Sequence, residues 1–144
     1  MSHCDDEVHY FNKDGSNSDN DQGYGYFSLK KNCLHAIDKP ALINQEGSIW
    51  MVNGKLHRED GPAVEKCNGR KEWWLNDKRH RVDGPAIVSV SGDMQYYENG
   101  KCSRKDGPAV ENVDGYKEYW VDGKQLSEED FVHKYSIKNK LKIK

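Results

Sequence analysis

The sequence has no run of about 18 apolar residues, the minimum that a membrane-spanning helix needs, so we expect no transmembrane segment. Residues 1–7 carry neither the positively charged stretch nor the apolar stretch of a secretory signal peptide. These two absences favour a cytoplasmic protein.

Cysteine pairs with metal-ligand spacing are also missing. The chain has four cysteines, Cys4, Cys33, Cys67 and Cys102. None of them forms a C-x-x-C pair, and the last three fall at different positions of the repeat described below. We therefore expect reduced thiols, no disulfide framework, no metal site and no cofactor.

The net charge is only −2, but it is unevenly distributed. Residues 1–25 carry six acidic residues and one lysine, whereas residues 134–144 carry five lysines and no acidic residue. Two solvated chain ends are the simplest interpretation. The alternatives are an acidic decoy surface at one end and a contact with nucleic acid or anionic lipid through the C-terminal lysines at the other.

Proline is scarce, and its placement reveals a repeat. All four prolines occupy one position of a 23-residue unit: Pro40, Pro62, Pro85 and Pro108. The surrounding string is His-Arg-x-Asp-Gly-Pro-Ala at 57–63 and 80–86, Ser-Arg-Lys-Asp-Gly-Pro-Ala at 103–109, and His-Ala-Ile-Asp-Lys-Pro-Ala at 35–41. A fixed period of this size is typical of arrays whose units contact mainly their neighbours. Such arrays bind more often than they catalyse.

Each repeat predicts one β-hairpin. In residues 62–84, strands are expected at 62–67 and 71–75, separated by two-residue turns at 68–69 and 76–77, where Asn, Asp and Gly accept a positive φ. The other repeats have first turns at 46–47, 91–92 and 114–115, and second turns at 53–54, 99–100 and 122–123. The predicted fold is all-β, an antiparallel meander or solenoid of repeated hairpins forming a single-layer twisted sheet.

The repeats define three regions. Residues 1–25 are an acidic leader or N-terminal cap, with a strand at 8–11 and a polar loop at 14–23 too poor in apolar residues to order itself. Residues 26–126 hold about four repeats. Residues 127–144 are a short capping helix and a lysine-rich tail. Ser127 is the expected N-cap, and Phe131 and Tyr135 share the face that covers the last hairpin and its exposed edge.

The string Asn53-Gly-Lys-Leu-His57, followed by a strand, Asn68-Gly69 and an aromatic pair, resembles the MORN repeat over residues 26–126. That family implies a single-layer sheet acting as a scaffold, a dimerisation module or, in some members, a phospholipid binder. This chain has His-Arg-x-Asp-Gly-Pro-Ala where MORN has His-Gly-x-Gly, which argues against lipid binding. The variant is similar to repeat proteins of phages, large DNA viruses and bacteria. It implies an accessory protein that inhibits a host defence protein in the host cytoplasm.

The repeated polar residues are interpreted as structural parts of the turn. The aspartates, Asp38, Asp60, Asp83 and Asp106, can accept a backbone N–H or pair with the neighbouring arginine. His35, His57 and His80 share one position, but equivalent residues two strands apart are roughly 9.5 Å from each other, too far to share a zinc ion. No set of nucleophile, base and orienting residue stands out, and we expect no enzyme activity.

Two rows of large side chains precede the second turns. The first row is Trp50, Trp73, Tyr96 and Tyr119, and the second is Met51, Trp74, Tyr97 and Trp120. Because neighbours on a strand point to opposite faces, both faces of the sheet carry large apolar side chains. Either both rows are core, or one is covered by a partner, by a second copy in a homodimer, or by a sheet that wraps into a solenoid.

The aromatic rows favour a protein partner, because Trp and Tyr dominate the binding energy of protein interfaces. The alternatives are a self-assembling scaffold and an array that binds carbohydrate, nucleotide or anionic lipid. The aromatic pairs superficially resemble repeats that stack sugars or choline. Those repeats act outside the cell, whereas this chain shows no export signal.

Overall fold

The computed structural model describes residues 7–11, 17–18, 25–30 and 32–136. These residues form short antiparallel strands joined by tight turns, with one short helical segment near the C-terminus, which confirms the predicted all-β fold with a cap. The chain divides into two compact units, Met1–Lys78 and Arg79–Lys144, which are described separately. Within the described residues, no helix has the length and apolarity needed to span a membrane.

The first unit is an antiparallel sheet with one side hairpin. Its strands are β1 (Glu7–Phe11), β2 (Asn17–Ser18), β3 (Gly25–Lys30), β4 (Cys33–Leu34), β5 (Leu42–Asn44), β6 (Gly47–Ile49), β7 (Met51–Val52), β8 (Lys55–Leu56), β9 (Val64–Lys66), β10 (Lys71–Glu72) and β11 (Trp74–Leu75). The sheet runs β2–β1–β3–β5–β6–β9–β10, with β4 also paired to β3. Strands β7 and β8 form the side hairpin. Strand β12 (Lys78–Arg79) contains the boundary between the units.

The second unit repeats this arrangement. Its strands are β13 (Ile87–Val88), β14 (Met94–Gln95), β15 (Tyr97–Glu98), β16 (Lys101–Cys102), β17 (Val110–Glu111), β18 (Lys117–Val121) and β19 (Lys124–Leu126). The order is β13–β14–β17–β18–β19, and β15 pairs with β16. In the repeats of β7–β8 and β15–β16, the second strand is interrupted at the residue of the first aromatic row and a small hairpin follows, whereas β18 runs through Tyr119 without a break.

The leader differs in part from the prediction. Strand β1 contains the expected residues 8–11 and pairs with β3. The stretch 14–23 was expected to be a loop throughout, but its residues Asn17–Ser18 form β2 and pair with Tyr10 and Phe11. Backbone hydrogen bonds to an existing strand order this segment without apolar side chains. The rest of the predicted loop lies outside the described residues.

The second turns have the predicted two-residue geometry. Both central residues have positive φ, as in Asn53 (50°) with Gly54 (76°) and Asp122 (51°) with Gly123 (79°). This is the type I′ turn, which matches the twist of the flanking strands. The same values recur at 76–77 and 99–100.

The first turn predicted at 46–47 is a two-residue turn but lies one residue earlier, at 45–46, because Asn44 pairs with Gly47. The other three first turns are correctly located by the sequence, but their predicted two-residue type is wrong. At 66–70 the N–H of Lys66 donates to the C=O of Arg70, and only Gly69 of the intervening residues has positive φ (94°). This is a three-residue loop, in which a type I turn is followed by a left-handed glycine. The loops at 89–93 and 112–116 have the same hydrogen bonds.

The buried residues of both units include one repeated alanine. The alanine after each proline has no exposed surface: Ala41, Ala63, Ala86 and Ala109. The C=O of three of these alanines accepts a backbone N–H from a neighbouring strand: Ala41 from Ser28, Ala63 from Trp50 and Ala109 from Tyr96. A larger side chain would have to displace its neighbours at these fully buried sites, which accounts for alanine in every repeat.

The C-terminal cap has the predicted contacts. Helix α1 (Glu128–Phe131) begins after Ser127, whose hydroxyl accepts the N–H of Asp130, and continues as a π-helical turn over Val132–Ser136. Phe131 is buried, with its ring 4.8 Å from that of Tyr119 and 5.1 Å from that of Tyr135, measured between centroids. The cap therefore covers the last aromatic residue of the first row.

Candidate functional site

Each unit contains an open groove between two successive His-Arg-x-Asp-Gly-Pro-Ala turns. The first groove, of about 540 Å³, lies in the first unit and is lined by Ile37, Asp38, Trp50, Val52, His57, Arg58, Glu59 and Asp60. The second groove, of about 500 Å³, lies in the second unit and is lined by Arg81, Val82, Asp83, Gly84, Tyr96, Glu98, Ser103, Arg104, Lys105 and Asp106. The same repeat positions line both grooves, and their volumes are typical of small binding sites.

The arginine of each turn holds the turn closed. In residues 57–63, Arg58 Nε donates to Asp60 Oδ1 at 2.9 Å, and Nη1 donates to the C=O of Pro62 at 3.2 Å. Arg81 and Arg104 make the equivalent bonds at 2.8 Å to the aspartate and 3.2–3.3 Å to the carbonyl. The arginine therefore ties the aspartate and proline of one turn into a rigid loop.

The glycine of the turn makes room for that arginine. A Cβ atom at Gly61 would lie 2.8 Å from Arg58 Cζ, and one at Gly84 would lie 3.0 Å from Arg81 Cζ. In the first turn the arginine is replaced by Ala36 and the glycine by Lys39. The two residues are lost together. This is expected if the guanidinium packs against the glycine, since a turn without the arginine no longer requires glycine.

The arginine also covers the aromatic residue on the groove floor. Arg58 Cζ lies 3.9 Å from the centroid of the Trp50 ring, and Arg104 Cζ lies 4.0 Å from that of Tyr96. These are cation–π distances. One face of each aromatic ring is thus occupied within its own unit, while the groove gives access to the rest of the side chain.

The histidine position links each turn to the following second turn. His35 Nδ1 accepts the backbone N–H of Asn53 at 3.0 Å, and His57 and His80 do the same for Asn76 and Asn99. In the last repeat the hydroxyl of Ser103 accepts the N–H of Asp122 at 3.1 Å. Serine replaces histidine here because the position needs only one hydrogen-bond acceptor.

The second aromatic row is anchored through its polar atoms. Trp74 Nε1 donates to Glu72 at 3.1 Å, and Trp120 Nε1 donates to Glu118 at 2.6 Å. Tyr97 makes the corresponding bond from its hydroxyl to Gln95, at 3.4 Å. In three repeats, a polar residue two positions earlier thus fixes the orientation of the ring.

All eight members of the two aromatic rows are half-buried. Trp50 and Tyr96 lie in the grooves, Tyr119 lies under the cap, and Met51 pairs with Leu56 across the β7–β8 hairpin. Three of the four members of the first row thus lie in a groove or under the cap.

The residue between arginine and aspartate varies from turn to turn and points to solvent. We call it the rim position; it is occupied by Ile37, Glu59, Val82 and Lys105. Ile37 is 71% exposed and Val82 is 86% exposed, an unusual state for aliphatic side chains. The sequence analysis missed this position because it considered the residues that are the same in every repeat. The informative feature was a residue that varies inside an otherwise constant motif.

Two of the turn aspartates, Asp60 and Asp83, have a lowered pKa. Arg58 and Arg81 lower the pKa of Asp60 and Asp83, respectively, by donating a hydrogen bond to each carboxylate and by their charge. Burial, assisted by the charge of Glu118, raises the pKa of Cys102 to about 11, which keeps this thiol protonated and unreactive at neutral pH. Cys33, Cys67 and Cys102 are free thiols.

The remaining predicted features give no further site. Among the described residues, no group of three or more His, Cys, Asp or Glu side chains is arranged to hold a metal ion. The C-terminal lysines predicted to contact nucleic acid or lipid lie beyond the described residues, apart from Lys134.

Comparison with known proteins found no match to this chain among family models, curated proteins or solved structures.

Proposed function

We propose that this chain is a non-enzymatic repeat protein that binds another protein through the aromatic-floored grooves between its turns. The observation that carries the proposal is the contrast between constant and variable positions. The histidine or serine, arginine, aspartate and proline of the complete turns are used within the fold. The rim positions are exposed and differ in every repeat.

Such a separation of constant structural residues from variable exposed residues is typical of binding arrays, in which a constant scaffold presents variable side chains on one surface. The rim residues Ile37 and Val82 expose apolar surface beside the aromatic side chains Trp50 and Tyr96. Apolar and aromatic side chains in a shallow groove with a charged rim favour a protein partner, because such patches supply most of the binding energy of protein interfaces.

The proposal is tested with peptides selected on the full chain from a displayed random-peptide library. Changing Ile37→Asn and Val82→Asn together should abolish capture of the selected peptides without changing the melting temperature, because both side chains are largely exposed and no charge is added. The matched control is Val113→Asn, since Val113 is 62% exposed but lies on a first turn outside both grooves. Equal loss of capture in the control, or no loss in the groove variant, would contradict the proposal.

A further inference from the structure

We propose that the first groove binds a lysine or arginine side chain from a basic segment of the partner protein. This inference rests on the proposed function of the grooves and adds the chemistry of the partner. It follows from the charges and the apolar surface that line the first groove, and from their difference from those of the second groove.

The first groove has an excess of negative charge. Its lining contains three carboxylates, those of Asp38, Glu59 and Asp60, and one arginine, Arg58. Arg58 is compensated by Asp60 at 2.9 Å and by Glu65 at 3.6 Å, so its charge is not available to the other two carboxylates.

Asp38 and Glu59 therefore remain as the unbalanced charges of the first groove. Asp38 lacks the arginine that pairs with the aspartate in the other turns, because Ala36 stands at that position. Lys39 follows Asp38 in the chain, but it is not among the described residues that line the groove. Glu59 occupies the rim with its side chain 85% exposed, and its carboxylate lies 3.6 Å from His57 Nε2.

The lining of the first groove also contains apolar surface. Trp50 and Val52 contribute to it, together with the rim residue Ile37, which is 71% exposed. A lysine or arginine side chain matches this pattern, because its methylene stem packs on apolar surface while its charged end reaches carboxylates at the edge. A purely apolar side chain would leave both carboxylates unused, and an acidic one would be repelled by them.

The second groove provides the internal comparison. Arg81 is paired with Asp83, and Arg104 is paired with Asp106 at 2.8 Å and with Glu111 at 3.2 Å. The charges left over are one of each sign, Glu98 and Lys105. The second groove has the same turn structure as the first and also contains an aromatic side chain, but it has no excess charge. It should therefore not prefer a cation.

The test uses a short lysine-containing peptide and the same peptide with every lysine acetylated, which keeps the stem and removes the charge. Binding to the full chain is followed by calorimetry and by the NMR signal of the Trp50 indole. We expect the lysine peptide to shift that signal and to bind about fivefold tighter than the acetylated peptide, with an advantage that shrinks as salt rises, as expected for an exposed charge pair.

Exchange of the rim charges supplies the matched variants. Glu59→Lys gives the first groove the rim residue of the last turn, and should weaken binding of the lysine peptide by about fivefold or more. Lys105→Glu gives the second groove the rim residue of the 57–63 turn, and should create a second site that shifts the Tyr96 signals. Both positions are exposed and already accept either charge within this chain, so the melting temperature should not change.

The outcomes separate the inference from the proposed function. If both peptides bind equally and shift Trp50, the groove is a binding surface and the cation preference is wrong. If Glu59→Lys leaves the affinity unchanged, or if neither peptide shifts Trp50, the inference is also overturned. Failure of the function itself is recognised independently, when Ile37→Asn with Val82→Asn leaves the capture of library-selected peptides intact.

Discussion

The first turn, at 35–41, and the last turn, at 103–109, have each lost a different part of the repeated motif. The first lacks the arginine and the glycine, which are replaced by Ala36 and Lys39, and the last lacks the histidine, which is replaced by Ser103. Both turns still bury their alanine completely and continue into a paired strand.

This comparison shows that the motif consists of three separable parts. The proline and alanine enter the core, the arginine with its glycine closes the turn onto the aspartate, and the histidine or serine accepts a hydrogen bond from the next turn. The array requires the first part in every repeat, whereas the other two can be lost or replaced singly. A difference in the arginine part also changes the charge of the adjacent groove.

The largest loss of stability is expected at the buried alanine, the part of the motif that both turns share. Ala41→Leu and Ala109→Leu should each destabilise the protein by about 1–3 kcal/mol, because both sites have no exposed surface and extra methylene groups must displace neighbours. Urea denaturation measures the free energy of unfolding. Val113→Leu, at an exposed position, should leave it unchanged. A tolerated leucine at either alanine would refute the shared-core assignment.

Removal of the arginine should destabilise the last turn more than the loss of any single hydrogen bond. Arg104→Ala removes bonds to Asp106, the C=O of Pro108 and Glu111, together with the contact with Tyr96. We expect a loss of about 1–2 kcal/mol in the free energy of unfolding, reduced from the value of a buried charged bond because the side chain is about a quarter exposed. No loss would mean that the arginine does not stabilise the turn.

The coupling of arginine and glycine is tested by a double-mutant cycle. Gly107→Ala places a Cβ 3.1 Å from Arg104 Cζ, and should cost about 0.5–1 kcal/mol when the arginine is present. In the Arg104→Ala background the same change should be neutral or stabilising, since alanine restricts the unfolded chain. Equal effects in both backgrounds would show that the joint loss in the first turn has another cause.

A smaller difference in stability is expected at the position where serine replaces histidine. His80→Ala removes the acceptor for the N–H of Asn99, and should be about 1 kcal/mol less stable than His80→Ser, whose hydroxyl can take the place that Ser103 occupies in the last turn. Thermal unfolding of the two variants in parallel measures the difference. Equal stability would show that the hydrogen bond contributes nothing.

The smallest effect is expected in the dependence of stability on pH. The folded-state pKa of Asp60 and Asp83 is lowered by their arginines, so their contribution is present above the ordinary pKa of about 3.8 and is lost as the pH falls through the lowered value. Asp60→Asn should therefore flatten the fall in stability below about pH 4. An unchanged slope in Asp60→Asn would contradict this assignment.

Much of this structure follows from the sequence. The 23-residue period and the Asn-Gly and Asp-Gly pairs located the hairpins, and Ser127 with Phe131 located the cap, because short-range turn and capping chemistry dominates in such an array. The type of the first turn was missed, since the positive φ of Gly69 fits both a two-residue and a three-residue loop.

The grooves could not be predicted from the sequence. They depend on the path of the chain between turns, which places Ile37 beside Trp50 and Val82 beside Tyr96. Likewise, the stacking of arginine on the aromatic floor requires contacts between neighbouring elements that no local pattern encodes. The side chains that recur in every motif stabilise the fold, so the motif itself does not indicate where the grooves lie.

The central claim is that binding takes place in the grooves and not on the anchored second aromatic row. The most direct measurement is an NMR titration of the four tryptophan indole signals with a library-selected peptide, each signal assigned by substitution. We predict that the Trp50 signal shifts with the peptide, while those of Trp74 and Trp120, already bonded to Glu72 and Glu118, do not. Shifts of Trp74 and Trp120 with an unchanged Trp50 would contradict the account.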